Sequence, residues 1–364
     1  DYRRLWVGSL VSHIGSWMQL IGSGWLVLQL TNSPFWLGVE AFAAAAPILV
    51  LSLPAGVLAD RVDRRRLLLI AQSCVGALAL ILAVLAGLGV VRLWHILLLT
   101  ALTGTVMAFT MPAWQAMVPD LVGKERLMNA VGLNSAAYNG AAVVGPALAG
   151  LILGAFGVAV CFALNAASYL AVIVAVWLIR TDCTGADCGR NVTVVDSLRE
   201  GLGFIGRRRL VFALFALAAV VSVTARPYLQ LLPVFARDIL AGGPRTYGAL
   251  MAANGAGALA GSLLTAALHR VPRKGLLLLC SAAACCLALG GFALTTSRPL
   301  ACALLVLVGG GATLYMGATN SVLQQLAPDD VRGRVMSVWS MIGAGVMPLG
   351  SLLLGTLASL TGRV

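Results

Sequence analysis

Gly56-Val57-Leu58-Ala59-Asp60-Arg61-Val62-Asp63-Arg64-Arg65-Arg66 is the stretch on which the reading of this chain turns. It gathers two carboxylates and four guanidiniums into eleven residues. On either side, residues 35–59 and 67–90 are almost wholly apolar. A helix needs about 20 apolar residues to cross the ~30 Å hydrocarbon core of a bilayer, and both flanks are long enough. A short charged link between two such segments reads as a membrane loop.

Working outward, the same alternation runs through the whole chain. We place eleven spans at 5–30, 35–59, 67–90, 93–115, 128–154, 158–179, 210–236, 246–268, 274–295, 299–322 and 335–359. Asn32-Ser33-Pro34, Gly242-Gly243-Pro244 and Ser297-Arg298-Pro299 punctuate them as turns. With 60% hydrophobic and 10% charged residues, the chain is far from the ~25% charged composition of soluble domains. No ten-residue alternating pattern suggests a membrane β-barrel. The expected fold class is all-α, integral and multi-span.

The net charge of +12 does not point to nucleic acid, because the basic residues lie between spans and not on one soluble face. With a cytoplasmic N-terminus, nineteen basic residues fall inside: Arg3, Arg4, Arg61, Arg64, Arg65, Arg66, Lys124, Arg126, Arg180, Arg190, Arg199, Arg207, Arg208, Arg209, Arg270, Arg273, Lys274, Arg332 and Arg334. Five fall outside: Arg92, Arg237, Arg245, Arg298 and Arg363. Arg226 is left within a span. That asymmetry follows the positive-inside rule and predicts a multi-pass protein of the bacterial cytoplasmic (inner) membrane. The first span lacks a cleavage site and reads as a retained helix, not a signal peptide.

The longest hydrophilic stretch divides the chain into 1–179, with six spans, a linker over 180–209, and 210–364, with five. In the linker Ser197 and Glu200 have capping-box spacing, and Val195, Leu198, Leu202 and Ile205 share one helical face. This predicts an amphipathic helix on the cytoplasmic membrane surface, anchored by Arg207-Arg208-Arg209. A solvated linker is the alternative. The Asn191-Val192-Thr193 sequon is discounted on the cytoplasmic side. Val118 to Met128 precedes the fifth span much as Ala327 to Met336 precedes the eleventh, a duplication that implies two bundles about a central path.

The Gly56–Arg66 loop resembles the signature loop of the major facilitator superfamily. Asp63 stands where that family usually has a second glycine. The resemblance implies two pseudo-symmetric six-helix bundles, with a twelfth helix lying beyond this chain. It also implies that Gly56, Asp60, Arg61, Arg64 and Arg65 form a gating motif, Asp60 and Arg64 latching the cytoplasmic ends. Asn139 to Gly150, with Gly140, Gly145, Pro146 and Gly150, is similar to the kinked helix of the family's antiporters. Small residues there let helices approach, and proline removes a backbone hydrogen bond. Pro227 to Leu240, continuing to Tyr247-Gly248, resembles the subgroup of enterobactin exporters and macrolide-efflux-like proteins.

Glu40 is the one carboxylate placed in the apolar part of a span, and is the expected proton-coupling residue, since burial favours the neutral form of a carboxyl. Arg226 is expected either to bind an anionic substrate or to pair with Glu40. His13, Gln19, Trp25, Asn134, Asn254 and Asn320 complete the substrate-binding candidates, with Gln115, Asn139 and Asn165 as further polar groups at depth. Several of these also suit helix-to-helix hydrogen bonding or, for tryptophan, an interfacial belt.

No phosphate-binding glycine loop, zinc-protease helix or nucleophile elbow is present, so no enzyme and no cofactor are expected. Among the eight cysteines, Cys183 and Cys188 share a loop without a histidine pair, and no metal site is expected. The reading is a monomeric, proton-coupled exporter of small amphipathic drug- or siderophore-like molecules. An uptake symporter, facilitator or lysophospholipid carrier of the same fold, and a non-transporting scaffold or sensor, are the alternatives.

Overall fold

The computed structural model describes residues 2–179, 202–268, 274–328, 331–332, 334–336, 338–339 and 347–361. Five helices fill the first part: α1 (Tyr2–Thr31), α2 (Pro34–Arg61), α3 (Arg64–Gly87), α4 (Leu93–Phe156) and α5 (Val158–Trp177). Then come α6 (Arg209–Thr224), α7 (Tyr228–Val234), a π-helical turn (Phe235–Ile239), α8 (Pro244–Ala267), α9 (Lys274–Leu294), α10 (Arg298–Leu326) and α11 (Met347–Thr361).

The turn residues act as their chemistry requires. Asn32 adopts a φ of 50° just past α1, and Pro34 opens α2. Proline also stands in the first turn of α8 and of α10, where its missing N–H is lost at no cost.

Three departures from the sequence reading have physical reasons. Nine helical stretches among the described residues are long and apolar enough to cross a membrane, so the count of eleven spans is not confirmed. The first expected span is a 30-residue helix, about 45 Å long, but it falls outside the nine. Ser9, Ser12, His13, Ser16, Gln19 and Ser23 dilute its apolar content, and several of them turn inward. The last is described for only 15 residues.

The expected loop between the fourth and fifth spans is helical. One run of 64 residues continues from Leu93 to Phe156, broken only at Gly123, whose φ of 71° a side chain would resist. It divides into arms Leu93–Gly123 and Glu125–Phe156. Conversely, the expected seventh span is interrupted at residues 225–227, because Pro227 has no N–H to offer the preceding turn. Arg226 N–H reaches back to Val221 O at 3.1 Å, a wide π-type closure.

Of the expected linker helix, residues 180–201 lie outside the described set. Its end, residues 202–207, is helical. Ile205 is buried among Phe215, Leu278 and Tyr315, while Arg208 lies 5.1 Å from the ring of Phe204.

For orientation we call the end of the molecule carrying Tyr2, Asp63 and Gly123 the near face, and the end carrying Asn32, Gly157 and Gly242 the far face. In the first half α1 and α3 pack on α4 and α5; in the second α10 packs on α8 and α9. The halves join where the second arm of α4 packs on α8 and where α2 packs on α11. An apolar core at the far end crosses that junction, with Met18, Ile21 and Trp25 against Leu153, Phe235, Tyr247 and Phe292. Large apolar side chains such as Leu287, Leu294 and Trp177 remain exposed on the outside, as a lipid-facing surface requires.

Candidate functional site

At the near face, Asp63 caps α3, its Oδ1 accepting from the Arg65 backbone N–H at 2.9 Å. An N-cap carboxylate satisfies one of the helix's orphan donors. The residue that departs from the signature loop therefore starts the next helix. Arg64 forms an ion pair with Asp120 at 2.6 Å, tying this loop to the first arm of α4. Arg65 donates to the carbonyls of Val176 at 3.2 Å and Trp177 at 2.6 Å, at the end of α5. Asp60 and Arg61 close α2 and Gly56 lies one turn earlier. The side chains of Asp60 and Arg61 lie outside the described residues.

At the far end, α4 and α8 touch backbone to backbone. A Cβ added at Gly150 would stand 2.9 Å from Gly248 Cα, and one at Gly248 would stand 2.6 Å from the Pro146 carbonyl. Gly255 meets the Ala142 carbonyl just as closely, and Gly154 lies against Arg245. The second crossing is similar, with Gly38 of α2 against the Ser351 carbonyl and Gly355 against Pro34. Gly140, from the same segment as Gly145 and Pro146, has no neighbour within 4 Å of its Cβ position, and neither has Gly132. On the face that carries Gly150, Pro146 and Ala142, the next residues towards the near face, Tyr138 and Val131, are half exposed, so the contact ends near Ala142.

Glu40 sits just inside this closed end. It is buried, and Ser23 Oγ donates to its Oε1. Tyr247 of α8 is its electrostatic neighbour and stacks on Trp25 with centroids 6.3 Å apart. The structure brings Ser23, Trp25, Glu40 and Tyr247 together from α1, α2 and α8. Among the described residues Glu40 and Arg226 form no ion pair.

A second group lies deeper. His13 meets Tyr138 edge-on at 5.6 Å, and Trp17 lies 6.0 Å from the same ring. Tyr228 donates to Asn254 Oδ1 at 2.5 Å. The charge of Arg226 acts on both Tyr138 and Tyr228. The other candidates stand apart: Gln19 Oε1 accepts from Asn165 at 2.5 Å, Asn134 accepts from Tyr2 at 3.0 Å near the near face, and Asn320 accepts from Gln324 at 3.2 Å.

Sequence reasoning missed Ser23, Asp120, Tyr138, Tyr228 and Tyr247. One signal was available, the four-residue spacing that puts His13 with Trp17, and Asn134 with Tyr138, on common helix faces.

A family model described as transmembrane secretion effector matches residues 1–363. The staphyloferrin A transporter of Staphylococcus aureus is 29% identical over 364 residues, covering 98% of this chain and 89% of its own. The multidrug efflux pump Tap of Mycolicibacterium fortuitum is 27% identical over 362 residues, covering 97% and 88%. The fold is similar to that of a bacterial homologue of the human lysosomal transporter Spinster, with a TM-score of 0.78 at 16% identity, covering 99% of this chain and 82% of that one.

Proposed function

The chain belongs to the transmembrane secretion effector family of the major facilitator superfamily, and from that premise we propose that it exports small amphipathic molecules in exchange for protons. That it is a multi-pass membrane transporter follows from the family. Export, proton coupling and orientation are our reading. Relatives named as a multidrug efflux pump and a staphyloferrin A transporter support the substrate class. The near face carries the Arg64–Arg66 cluster and is assigned to the cytoplasm by the positive-inside rule. On this assignment the chain runs as an N-terminal bundle over 1–179, the linker over 180–209 and a C-terminal bundle over 210–364. It acts as a monomer.

The observation that carries the mechanism is the place of Glu40. Its carboxyl lies where α1, α2 and α8 meet, beside the two crossings that close the far face. A neutral Glu40 fits that dry junction with Ser23 as its partner. An ionised one adds an uncompensated charge there, at a cost of several kcal/mol if fully buried. Proton occupancy therefore biases the far face towards closure, and proton loss towards opening. A ligand shifts such an equilibrium only by its differential affinity for the two states, and the proton meets that condition here. The Asp60–Arg66 loop holds the near face in the alternate state.

Everted membrane vesicles energised to an acid interior provide the test, using a panel of anionic, neutral and cationic compounds screened for a response to expression of the chain. Export predicts gradient-dependent accumulation inside the vesicles, lost in Glu40→Gln. Depletion of the vesicles would make the chain an uptake carrier. Flux of every compound unaffected by Glu40→Gln would remove Glu40 from the mechanism.

A further inference from the structure

Arg226 is the feature that proton-driven export leaves without a task. It sits in the break between α6 and α7, roughly midway along the span Arg209–Ile239. Its backbone is about 25 Å from Arg209 at ~1.5 Å per residue, too far for the side chain to snorkel out. A charged residue at that depth is costly and is ordinarily paired or put to use. Among the described residues no carboxylate pairs with it.

What surrounds the guanidinium is the shape of a recognition site. Tyr138 is 52% exposed although it packs against His13 and Trp17. Tyr138 lies one turn from Ala142, on the face that meets α8 at Gly255, so its free edge opens between the halves, where Arg226 of the opposite half is its electrostatic neighbour. Tyr228, two residues further along the chain, is held by Asn254 and is likewise an electrostatic neighbour of Arg226. Two independent features therefore coincide: a span broken near the midplane, where transporters place their substrate sites, and an unneutralised cation facing a cluster of aromatic rings. A guanidinium offers five donors in a planar fork suited to a carboxylate or sulfonate, while the rings offer apolar surface. A cationic ligand would meet repulsion at the same place.

We propose that this is the substrate site and that it selects organic anions, Arg226 holding the carboxylate or sulfonate while His13, Trp17 and Tyr138 receive the apolar body. The proposal rests on the transporter reading and names its substrate class. An anionic lipid headgroup offers the same chemistry as a free anion.

Calorimetric titration of the full chain in phosphatidylcholine nanodiscs tests it with naphthalene-2-sulfonate and its cationic counterpart N-methylquinolinium. Wild type is expected to bind the sulfonate at least about tenfold more tightly than the cation. Arg226→Gln should weaken sulfonate binding at least about tenfold, the loss expected for charge-assisted hydrogen bonds, and Arg226→Lys, which keeps the charge but not the planar fork, should restore part of it. Equal binding of the two ions by wild type, which needs no variant to fold, overturns the proposal, as does unchanged sulfonate affinity in Arg226→Gln. Adding a fifth of phosphatidylglycerol separates the sources. Competition lost in Arg226→Gln assigns the site to headgroups and unchanged affinity to soluble anions, either outcome keeping an anion at Arg226. Binding needs no gradient, so a failure of export in vesicles leaves this result standing, and the converse also holds.

Discussion

The two ends of the α4–α8 pair behave in opposite ways. At the far end Gly150, Gly248 and Gly255 bring backbones into contact, and any side chain there would overlap its neighbour. Towards the near end Tyr138 and Val131, on the α4 face that carries Ala142, are half exposed. Small residues in membrane helices permit close packing but do not enforce it. The difference shows a pair of helices latched at one end and parted at the other, with Ala142 to Pro146 as the point of divergence. Glu40 lies at the latched end, Arg226 and Tyr138 in the gap below it, and the Arg64–Asp120 pair at the parted end.

The largest effect should come from forcing the latch. Gly248→Leu places a side chain against Pro146 O and Gly150, so the far face cannot close, and transport should fall at least about tenfold. Activity near wild type would mean that this contact never has to form. Overpacking a tight contact costs roughly 1–3 kcal/mol, which sets that scale. A smaller effect is expected at the parted end. Asp120→Asn or Arg64→Gln removes a partly exposed pair worth about 1 kcal/mol or less, so transport should drop up to about fivefold. The exchange Arg64→Asp with Asp120→Arg should recover part of the loss; no recovery would show that the two side chains act separately. The smallest effect belongs to Gly140→Ala, which enters open space and should leave transport within about twofold of wild type. A severe loss would place a partner at Gly140 in the alternate state, sharpening the picture of how far the latch travels.

Much of this was legible in the sequence because lipid imposes simple rules. Apolar length marked most helices, proline and asparagine marked their ends, and the Gly56–Arg66 loop identified the superfamily. The limits came from two sources. Hydropathy is blind to backbone continuity: it drew a helix through Ala225–Pro227 and a loop through Val118–Leu121, where the reverse holds, since Pro227 lacks a donor and only Gly123 leaves helical geometry. Long-range pairing is equally hidden. Nothing local says that Arg64 will meet Asp120, or that Tyr138 and Tyr247, which look like span filler, will stand beside Arg226 and Glu40. Asp63 teaches a related lesson, for its departure from the family pattern proves to be a helix cap.

The central claim is that proton occupancy of Glu40 exchanges the latched and parted ends. Spin-label distances in a cysteine-free background test it directly, with one pair at Val90 and Leu294 on the far face and another at Met128 and Leu276 on the near face. Raising the pH removes the proton from Glu40, so the far-face distance should lengthen as the near-face distance shortens, while Glu40→Gln, permanently neutral, should hold the far face closed throughout. Distances that ignore pH in wild type, or that shift equally in Glu40→Gln, would contradict the account.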